Sequence, residues 1–524
     1  MRTGPPAASC GQSHEAETLF ERFWIHIAKP RLSRPATLPE LQAHYGERYR
    51  WLLLLSVMIG TMASIMSSTI VNVAIPDMSQ HFALGQARAQ WVSSGFMVAM
   101  TVSMLTTPWL LGRYGYRRTY VGCMLLLMAG GIVGGFSNLF SLVLAARVAE
   151  GLAAGVVQPI PAIIIMRAFA PHEQGRASGF FGMGVVLAPA VGPSVGGVLV
   201  DLFGWRSIFF MVVPLCIASL VMAYRYVPTT APGGVAASRS GGSLDWRGLL
   251  IGAVGTLCLL NGMVELHGGS ASRSAVLLAI AAATLLLFVW WQARLAAGGG
   301  APLMNLALFG YRQFAMGSIV AFIYGTALFG STYLLPVYMQ LGLQLSASHV
   351  GTILLPAGLV LAVTIAFVGR LADKQPTWLL VSTGLGLLAA SFALMATVSL
   401  TTGLWLLVLW AILGRIGLGF ILPSLNLGSL RPLHEHLLSQ GSSAINFLRM
   451  LGGAIGVSLC GIVLEWRLAA HGDSLANATS SPARLAAFNE AFFMLASLCA
   501  LAVLAAWQLR EAPPRPTTVK PEAE

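Results

Sequence analysis

The chain has few charged residues for its length. Asp, Glu, Lys and Arg make up 10% of its 524 residues, whereas hydrophobic residues make up 56%. A soluble domain averages about 25% charged residues, so polar side chains alone cannot cover this protein, and lipid must cover much of its surface. The low charge content therefore excludes a series of soluble domains.

Cysteine is scarce and scattered. The six cysteines are Cys10, Cys123, Cys216, Cys258, Cys460 and Cys499. They form no CxxC pair, and all but the first lie in apolar segments, which fits neither a disulfide framework nor a zinc site. We interpret them as small packing residues.

The chain also lacks the motifs of common enzymes and ATP-driven pumps. It contains no Walker loop, no cluster of metal ligands and no credible Ser/His/Asp set. Its polar regions are too short for a nucleotide-binding domain. We therefore expect neither an enzyme nor a cofactor. If the chain moves a solute, the energy comes from an ion gradient such as the proton gradient, or the movement is passive.

Long apolar segments follow one another through most of the chain. A helix needs about 20 apolar residues to cross roughly 30 Å of hydrocarbon, and we count fourteen such segments. The first begins at Trp51, too deep in the chain for a cleavable signal peptide. The pattern predicts an all-α polytopic membrane protein with two six-helix bundles and two extra central helices. The predicted divisions are a cytoplasmic N-terminal extension (1–49), the first bundle (50–227), a linker with the two extra helices (228–312), the second bundle (313–511) and a disordered cytoplasmic tail (512–524).

Basic residues indicate the orientation of these spans. If the N-terminus is cytoplasmic, most Lys and Arg fall in loops on that side, as the positive-inside rule requires. This predicts a multi-pass protein of the plasma (inner) membrane with both termini in the cytoplasm. The net charge of +12 then reflects topology, and no nucleic-acid partner is expected. Residues 17–25 are compatible with either an amphipathic surface helix or a disordered tail.

The two six-helix groups share a pattern. Gly155–Pro159 follows Arg147 in the fourth span of the first group, and Gly419–Pro423 follows Arg415 in the fourth span of the last. Repeated halves are the usual construction of secondary transporters, whose binding site lies near the midplane between them.

Four stretches carry a resemblance to a known family. They are Thr69–Pro76 at the end of the first span, the loop from Leu110 to Arg118 after the second span, Arg147–Gly151 in the fourth span, and a run of small residues and prolines from Gly182 to Gly197 in the fifth. Over roughly 50–510 the chain resembles the major facilitator superfamily, in its fourteen-helix drug:proton antiporter branch of the EmrB/QacA type. The resemblance implies a proton-coupled antiporter that exports drugs or other amphipathic small molecules by alternating access.

The resemblance assigns roles to two groups of residues. The antiporter motif of the fifth span is Gly184, Pro189, Gly192, Pro193, Gly196 and Gly197. A cytoplasmic latch between the halves comprises Arg113, Gly115, Arg117, Arg118, Gly369, Arg370 and Asp373. General helix packing by small residues and topology-setting charge are the structural alternatives. Two family acids are absent, because Ser67 and Gly112 stand where the family has aspartates.

An ion pair in the fourth span is the hypothesis for proton coupling. Arg147 and Glu150 lie three residues apart and so share one helix face. A charge at the centre of a membrane helix costs about 2.5–3.5 kcal/mol on insertion scales, and is usually functional or paired. A mutually neutralised structural pair is the alternative.

Polar and aromatic residues near mid-depth are predicted to line the substrate site. They are Thr69, Asn72, Trp91, Gln158, Tyr324, Tyr338, Gln340, Asn446 and Arg449, with helix packing as the alternative role of each. The serine at position 67 weakens the case for a cationic substrate and leaves neutral, zwitterionic or anionic compounds open, with Arg147, Arg415 and Arg449 as anion partners. Expected partners are membrane lipid, a small-molecule substrate and protons.

Three functional alternatives remain open on the same scaffold. The first is a dedicated exporter of a metabolite, lipid or siderophore. The second is a pump that works with a periplasmic adaptor and an outer-membrane channel. The third, from a different class, is a transport-inactive membrane sensor or channel, since two family acids are missing.

Overall fold

The computed structural model describes residues 37–84, 86–89, 91–231, 242–268, 271–345, 347–399, 402–473 and 481–510. These residues are almost entirely helical, and no β-strand occurs among them. The predictions for the 17–25 segment and for the C-terminal tail lie outside the described residues. The all-α fold is confirmed.

The first half begins with a short capped helix and continues with long apolar ones. The Thr37 hydroxyl accepts the N–H of Glu40, and the Glu40 carboxylate accepts the N–H of Thr37, which forms a capping box. The helices are α1 (Leu38–Tyr45), α2 (Arg48–His81), α3 (Gln86–Ala89), α4 (Trp91–Ser103), α5 (Thr107–Phe136), α6 (Phe140–Val157), α7 (Ile160–Ala168), α8 (Gln174–Phe203) and α9 (Ser207–Tyr226).

A central helix pair and the second half follow. The pair is α10 (Trp246–Gly268) and α11 (Ala271–Ala297). The second half comprises α12 (Arg312–Val337), which ends in a π-turn, α13 (Ala347–Leu371), α14 (Thr377–Met395), α15 (Leu404–Leu430), α16 (Leu438–Ala470) and α17 (Pro482–Trp507).

Within the described part of the chain, twelve helical stretches are long and apolar enough to cross a membrane. One of them, the 46-residue stretch Trp91–Phe136, reverses direction at Gly115, whose φ of 78° favours glycine. The Thr119 hydroxyl donates to the Leu110 carbonyl at 3.0 Å, although nine residues of straight helix would separate these residues by about 13.5 Å. Dividing this stretch and counting α8, which is not among the twelve, gives fourteen, so the predicted count is compatible with the structure.

Each half has its own apolar core, and α8 joins them. Buried residues of α2, α5, α7 and α9 pack together in the first half, and buried residues of α12 to α17 form a larger cluster in the second. The first-half helix α8 packs along α13 of the second half. Two six-helix bundles therefore meet along an interface that can hold a site between them.

The carboxylate of Asp245 accepts hydrogen bonds from both helices of the central pair. Asp245 accepts the N–H of Gly248 at 2.8 Å at the start of α10. It also accepts Trp291 Nε1 at 3.0 Å and Gln292 Nε2 at 2.8 Å from the end of α11. Asp245 thus caps one helix and ties it to the other.

Candidate functional site

An ion pair lies in the interior of the first half. Arg147 and Glu150 on α6 are 2% and 0% exposed, and Arg147 Nη1 pairs with Glu150 Oε2. Ser67 on α2 completes a triad, because its hydroxyl lies 3.0 Å from the same Glu150 oxygen and 2.7 Å from Arg147 Nη1. Arg147 Nη2 also donates to the Ser67 carbonyl at 3.0 Å. The residue that replaces a family aspartate therefore holds both charged groups.

The surroundings of this triad are tightly packed. Arg147 Nε donates to the Val92 carbonyl at 3.3 Å, and its Cζ lies 4.3 Å from the centroid of the Phe96 ring. Opposite, α5 carries a glycine because a Cβ at Gly130 would come within 2.5 Å of Glu150 Cγ. Glu150 Oε1 has no hydrogen-bond partner among the described residues. One carboxylate oxygen is thus engaged in the triad and the other is not.

A largely apolar cleft with five polar or charged side chains lies between the two halves. The first half contributes Gln158, which occupies the break between α6 and α7, and Ser178 of α8. The second half contributes Asn426 of α15, and Asn446 and Arg449 of α16. The cleft has a volume of about 40 Å³, whereas sites for drug-sized ligands measure about 300–1,000 Å³. In this conformation the halves have closed around it.

The structure brings three of the predicted substrate residues together in this cleft: Gln158, Asn446 and Arg449. Tyr324 is buried nearby in the second half, within electrostatic range of Arg449. The sequence analysis missed Asn426, although it follows Arg415 by eleven residues and so falls on nearly the same face of α15.

The other predicted substrate residues lie elsewhere. Thr69 donates to carbonyls of its own helix. Asn72, Trp91 and Gln340 are exposed. Tyr338 is fully buried against Phe488 and Phe492, with ring centroids 5.4 and 5.6 Å away, so it packs within the second half.

Asp373 forms a latch from the second half to the first. Its carboxylate accepts the N–H of Gly175 at 2.6 Å and that of Arg176 at 2.8 Å at the start of α8, where a helix favours an anion. Burial raises the pKa of the Asp373 carboxyl above its ordinary value, and these two N–H groups oppose the rise. Beside it, a Cβ at Gly369 would come within 2.5 Å of the Gly179 Cα atom, so glycine permits the close approach.

Further contacts between the halves lie at the same end of the bundle, which we call the latch end. Arg431 donates to Gln174 Oε1 at 3.2 Å and to the Pro171 carbonyl at 2.8 Å. Arg167 pairs with Glu435 at 3.7 Å. Slightly deeper, the Ser442 hydroxyl donates to the Pro159 carbonyl at 2.9 Å. The latch end is therefore sealed in this conformation.

The first-half copy of the latch loop makes different contacts. Arg117 Nε donates to the Val227 carbonyl at 2.7 Å, and its N–H donates to the Pro228 carbonyl at 3.0 Å. The turn at Gly115 packs against Thr229, since a Cβ there would meet the Thr229 carbonyl at 2.3 Å. Arg113 lies over Trp109. These contacts hold the loop to the first half itself.

The remaining latch positions are more open. Arg118 and Arg370 are exposed. Gly112 lines a cavity of about 320 Å³ together with Ser439 and Gln440 at the start of α16. A carboxylate at position 112 would face α16 as Asp373 faces α8, and the sequence places none there.

The small residues of α8 face two different helices. Gly184, Gly192 and Gly196 of the predicted antiporter motif pack against Met58, Thr69 and Ile70 of α2. Gly197 faces open space, Pro189 is partly buried, and the side chain of Pro193 lies outside the described residues.

A second glycine face of α8 meets the other half. A Cβ at Gly175, Gly179 or Gly182 would collide with Asp373, Gly369 or Ile365. The sequence analysis missed Gly175 and Gly179, although their four-residue spacing is the small-xxx-small signal of close helix packing. In the described residues, no group of three His, Cys, Asp or Glu side chains could hold a metal ion.

Comparisons with known proteins agree with this architecture. The model of the Major Facilitator Superfamily matches residues 57–457. The multidrug resistance protein B homolog of Mycobacterium tuberculosis is 28% identical over 83% of this chain and 81% of its own length. The lincomycin resistance protein LmrB of Bacillus subtilis is 26% identical over 80% of this chain and 87% of its own length. The crystal structure of the human organic anion transporter MFSD10 (TETRAN) superposes with a TM-score of 0.59 at 15% identity, covering 87% of this chain and 99% of that one.

Proposed function

The chain belongs to the major facilitator superfamily of membrane transporters, and from that premise we propose that it is a proton-coupled antiporter that exports drugs or other amphipathic small molecules by alternating access. The observation that carries the proposal is Glu150, a carboxylate buried in the membrane-spanning part with one oxygen bound and the other free. A buried carboxylate of this kind marks a proton path. The named resistance activities of the two bacterial relatives support the substrate class.

The packing suggests how a proton at Glu150 could act on the cleft. Protonation removes the charge that holds Arg147, whose guanidinium lies over the Phe96 ring. Phe96 belongs to an apolar cluster that includes Met450 of the second half, and Met450 is the neighbour of Arg449 in the cleft. A change in the triad is thereby passed to the wall of the substrate site through packed side chains.

The latch contacts support the direction of alternating access. We propose that the latch end faces the cytoplasm of the inner membrane, with both termini on that side, since the arginine-rich loops lie there. The conformation in the structure then corresponds to a transporter closed toward the cytoplasm. Release of the bonds to Asp373 and Arg431 would let the halves part at that end to admit substrate.

Gradient-driven export by cells that express the chain is the test. Accumulation of lincomycin and of a chemically varied compound panel is measured with and without a protonophore, in wild type, in Glu150→Gln and in Asp201→Asn. Asp201 is an exposed acid at the end of α8, so Asp201→Asn is the matched control. We expect the wild type and the control to export at least one compound, and Glu150→Gln to lose the gradient-driven part while still reaching the membrane.

Reconstitution separates the alternatives. In proteoliposomes with an imposed pH gradient, substrate-dependent proton movement supports antiport. Export by Glu150→Gln at the wild-type rate would show that coupling lies elsewhere. Absence of transport with every compound would favour the membrane sensor or channel. Transport of a single metabolite, lipid or siderophore would favour the dedicated exporter, and a need for added envelope proteins would favour a pump with a periplasmic adaptor and outer-membrane channel.

A further inference from the structure

Two arginines in the membrane-spanning part of the second half have no acidic partner among the described residues. Arg415 lies on α15 and Arg449 on α16. Among the described residues, Arg415 makes no hydrogen bond or ion pair, and Arg449 donates only to Asn446 Oδ1, at 2.7 Å. Both side chains are partly buried, and a charged residue inside a membrane span is normally either paired or functional. These two arginines therefore mark a candidate site.

The described acidic residues of the second half lie too far from Arg415 and Arg449, or are already bound elsewhere, and so cannot pair with them. Asp373 and Glu435 are at the latch end, where each contacts the first half. Glu465 follows Arg449 on the same helix by sixteen residues, which is about 24 Å of rise. Glu490 is bound to Arg467, and Asp473 is bound to Arg484. Across the interface, Glu150 is already held by Arg147 and Ser67.

One of the two arginines lies in the cleft, and the other lies on a helix face that leads away from it. Arg449 lines the cleft. Arg415 lies on the same face of α15 as Leu422 and Asn426, which also line it, and about 16 Å from Asn426 along the helix axis. Tyr324 of α12 is buried and within electrostatic range of both guanidinium groups. The second half therefore places two guanidinium groups around Tyr324, one of them in the cleft.

We propose that the substrate is an amphipathic organic anion whose carboxylate or similar acidic head group binds Arg449 and Arg415 while its apolar body occupies the rest of the cleft. A guanidinium matches a carboxylate with two parallel hydrogen bonds and is weakly hydrated, which suits a site out of water. Apolar walls for the body are present in Phe181, Val185 and Leu422. A cation would meet two like charges and no acid in the cleft. The inference rests on the proposed transport function and assigns its substrate class.

Three fluorescent probes that differ in charge test the proposal. They are dansylglycine (anionic), dansylglycinamide (neutral) and dansylethylenediamine (cationic), each titrated at pH 7 into protein purified in an uncharged detergent. We expect dansylglycine to bind at least about tenfold more tightly than the neutral probe, since a hydrogen bond to a charged group has about that worth, and the cation to bind most weakly.

Variants of the two arginines test whether these side chains cause the preference for the anionic probe. Arg449→Gln and Arg415→Gln should each weaken dansylglycine by about tenfold and leave the neutral probe within about twofold, and Arg449→Lys should retain part of the preference. Arg294→Gln, an exposed arginine near the end of α11, is the control and should bind as wild type. A gel-filtration profile like that of wild type shows that each variant is folded.

The proposal is overturned if the three probes bind equally, if dansylglycine shows no saturable binding, or if the preference for it survives in both glutamine variants. Binding at fixed pH needs no gradient, so this result is independent of coupling. Anion-selective binding without gradient-driven export would refute the antiport mechanism alone. Gradient-driven export of cations without dansylglycine binding would refute the substrate class alone.

Discussion

The two halves of the protein hold charge inside the membrane in opposite ways. In the first half, Arg147, Glu150 and Ser67 form a compact and formally neutral triad, sealed from the cleft. In the second half, Arg415 and Arg449 bring two positive charges that pair with no acid in the described part of the chain. The fourth spans of both halves carry an arginine at matching places, yet only one of these arginines is neutralised.

The two copies of the latch loop also differ in charge. Asp373 of the second-half loop caps α8 with two hydrogen bonds across the interface. In the first-half loop, Gly112 lines a cavity at the start of α16. The two halves thus share a helical scaffold but differ at its polar positions. We infer that the first half carries the proton-binding carboxylate, whereas the second half supplies the positive charge at the substrate cleft that both halves line.

Breaking the triad should give the largest effect, a loss of stability. Arg147→Met or Glu150→Leu alone leaves one buried charge unpaired, which costs about 3–5 kcal/mol. The double variant should recover much of that loss because no charge remains. Thermal unfolding in detergent, followed by gel filtration of the surviving protein, measures it. A double variant as unstable as the single ones would show that the triad is not a mutually compensated unit.

Removing the latch carboxylate should give the second-largest effect, a wider separation of the halves at the latch end. Asp373→Ala deletes two hydrogen bonds to a charged group, each worth about 1.5–3 kcal/mol, and should shift the population toward separation at the latch end. Electron-spin distances between labels on His172→Cys and His434→Cys report that separation, and Asp201→Ala serves as the control. If the distance distribution does not change, the Asp373 bonds do not hold the halves together.

Removing an unpaired arginine should have a small effect on stability, in contrast to the triad. Arg415→Met removes a charge that no described residue compensates, so we expect a change of less than about 1 kcal/mol or a slight gain, because insertion of Arg at mid-membrane is itself unfavourable. The same thermal assay measures it. A loss as large as that of Glu150→Leu would mean that Arg415 has a structural partner, and the contrast between the halves would fail.

Restoring the absent latch acid should give the smallest effect. A Cβ at Gly112 meets no atom within 4 Å, so Gly112→Asp is sterically allowed. An anion near the start of α16 should stabilise the closed latch end by about 0.3–1 kcal/mol. The same spin labels should show a narrower distance distribution, and Gly112→Asn provides the uncharged control. A broader distribution in the aspartate variant would show that the two loops do not work as equivalents.

Most of the fold could be predicted because its signals are local. Apolar runs long enough to span a bilayer are visible without tertiary information. The break in the fourth span was not predicted, since whether Pro159 interrupts a membrane helix depends on what satisfies the freed backbone groups. Here the Pro159 carbonyl accepts the Ser442 hydroxyl from the other half, a contact that no local pattern contains.

The candidate site was less predictable than the fold. Spacing alone indicated that Arg147 and Glu150 share a helix face, and the structure adds that Ser67 joins them. Gln158, Asn446 and Arg449 meet in the cleft, whereas Tyr338 packs against Phe488 and Phe492 inside one half. Polar and aromatic residues at similar depth look alike in a sequence, because the face they present depends on how neighbouring helices are rotated.

By itself the sequence determined that this is a helical membrane transporter of repeated halves, because hydrophobic length and small-residue motifs are properties of single segments. Only the tertiary structure decided how the interior charges are distributed. Ser67 and Glu150 are 83 residues apart in sequence, yet their side chains lie 3.0 Å apart, whereas no acid that the structure describes pairs with Arg415. Whether a buried charge is compensated depends on groups brought from distant segments, and packing alone places them.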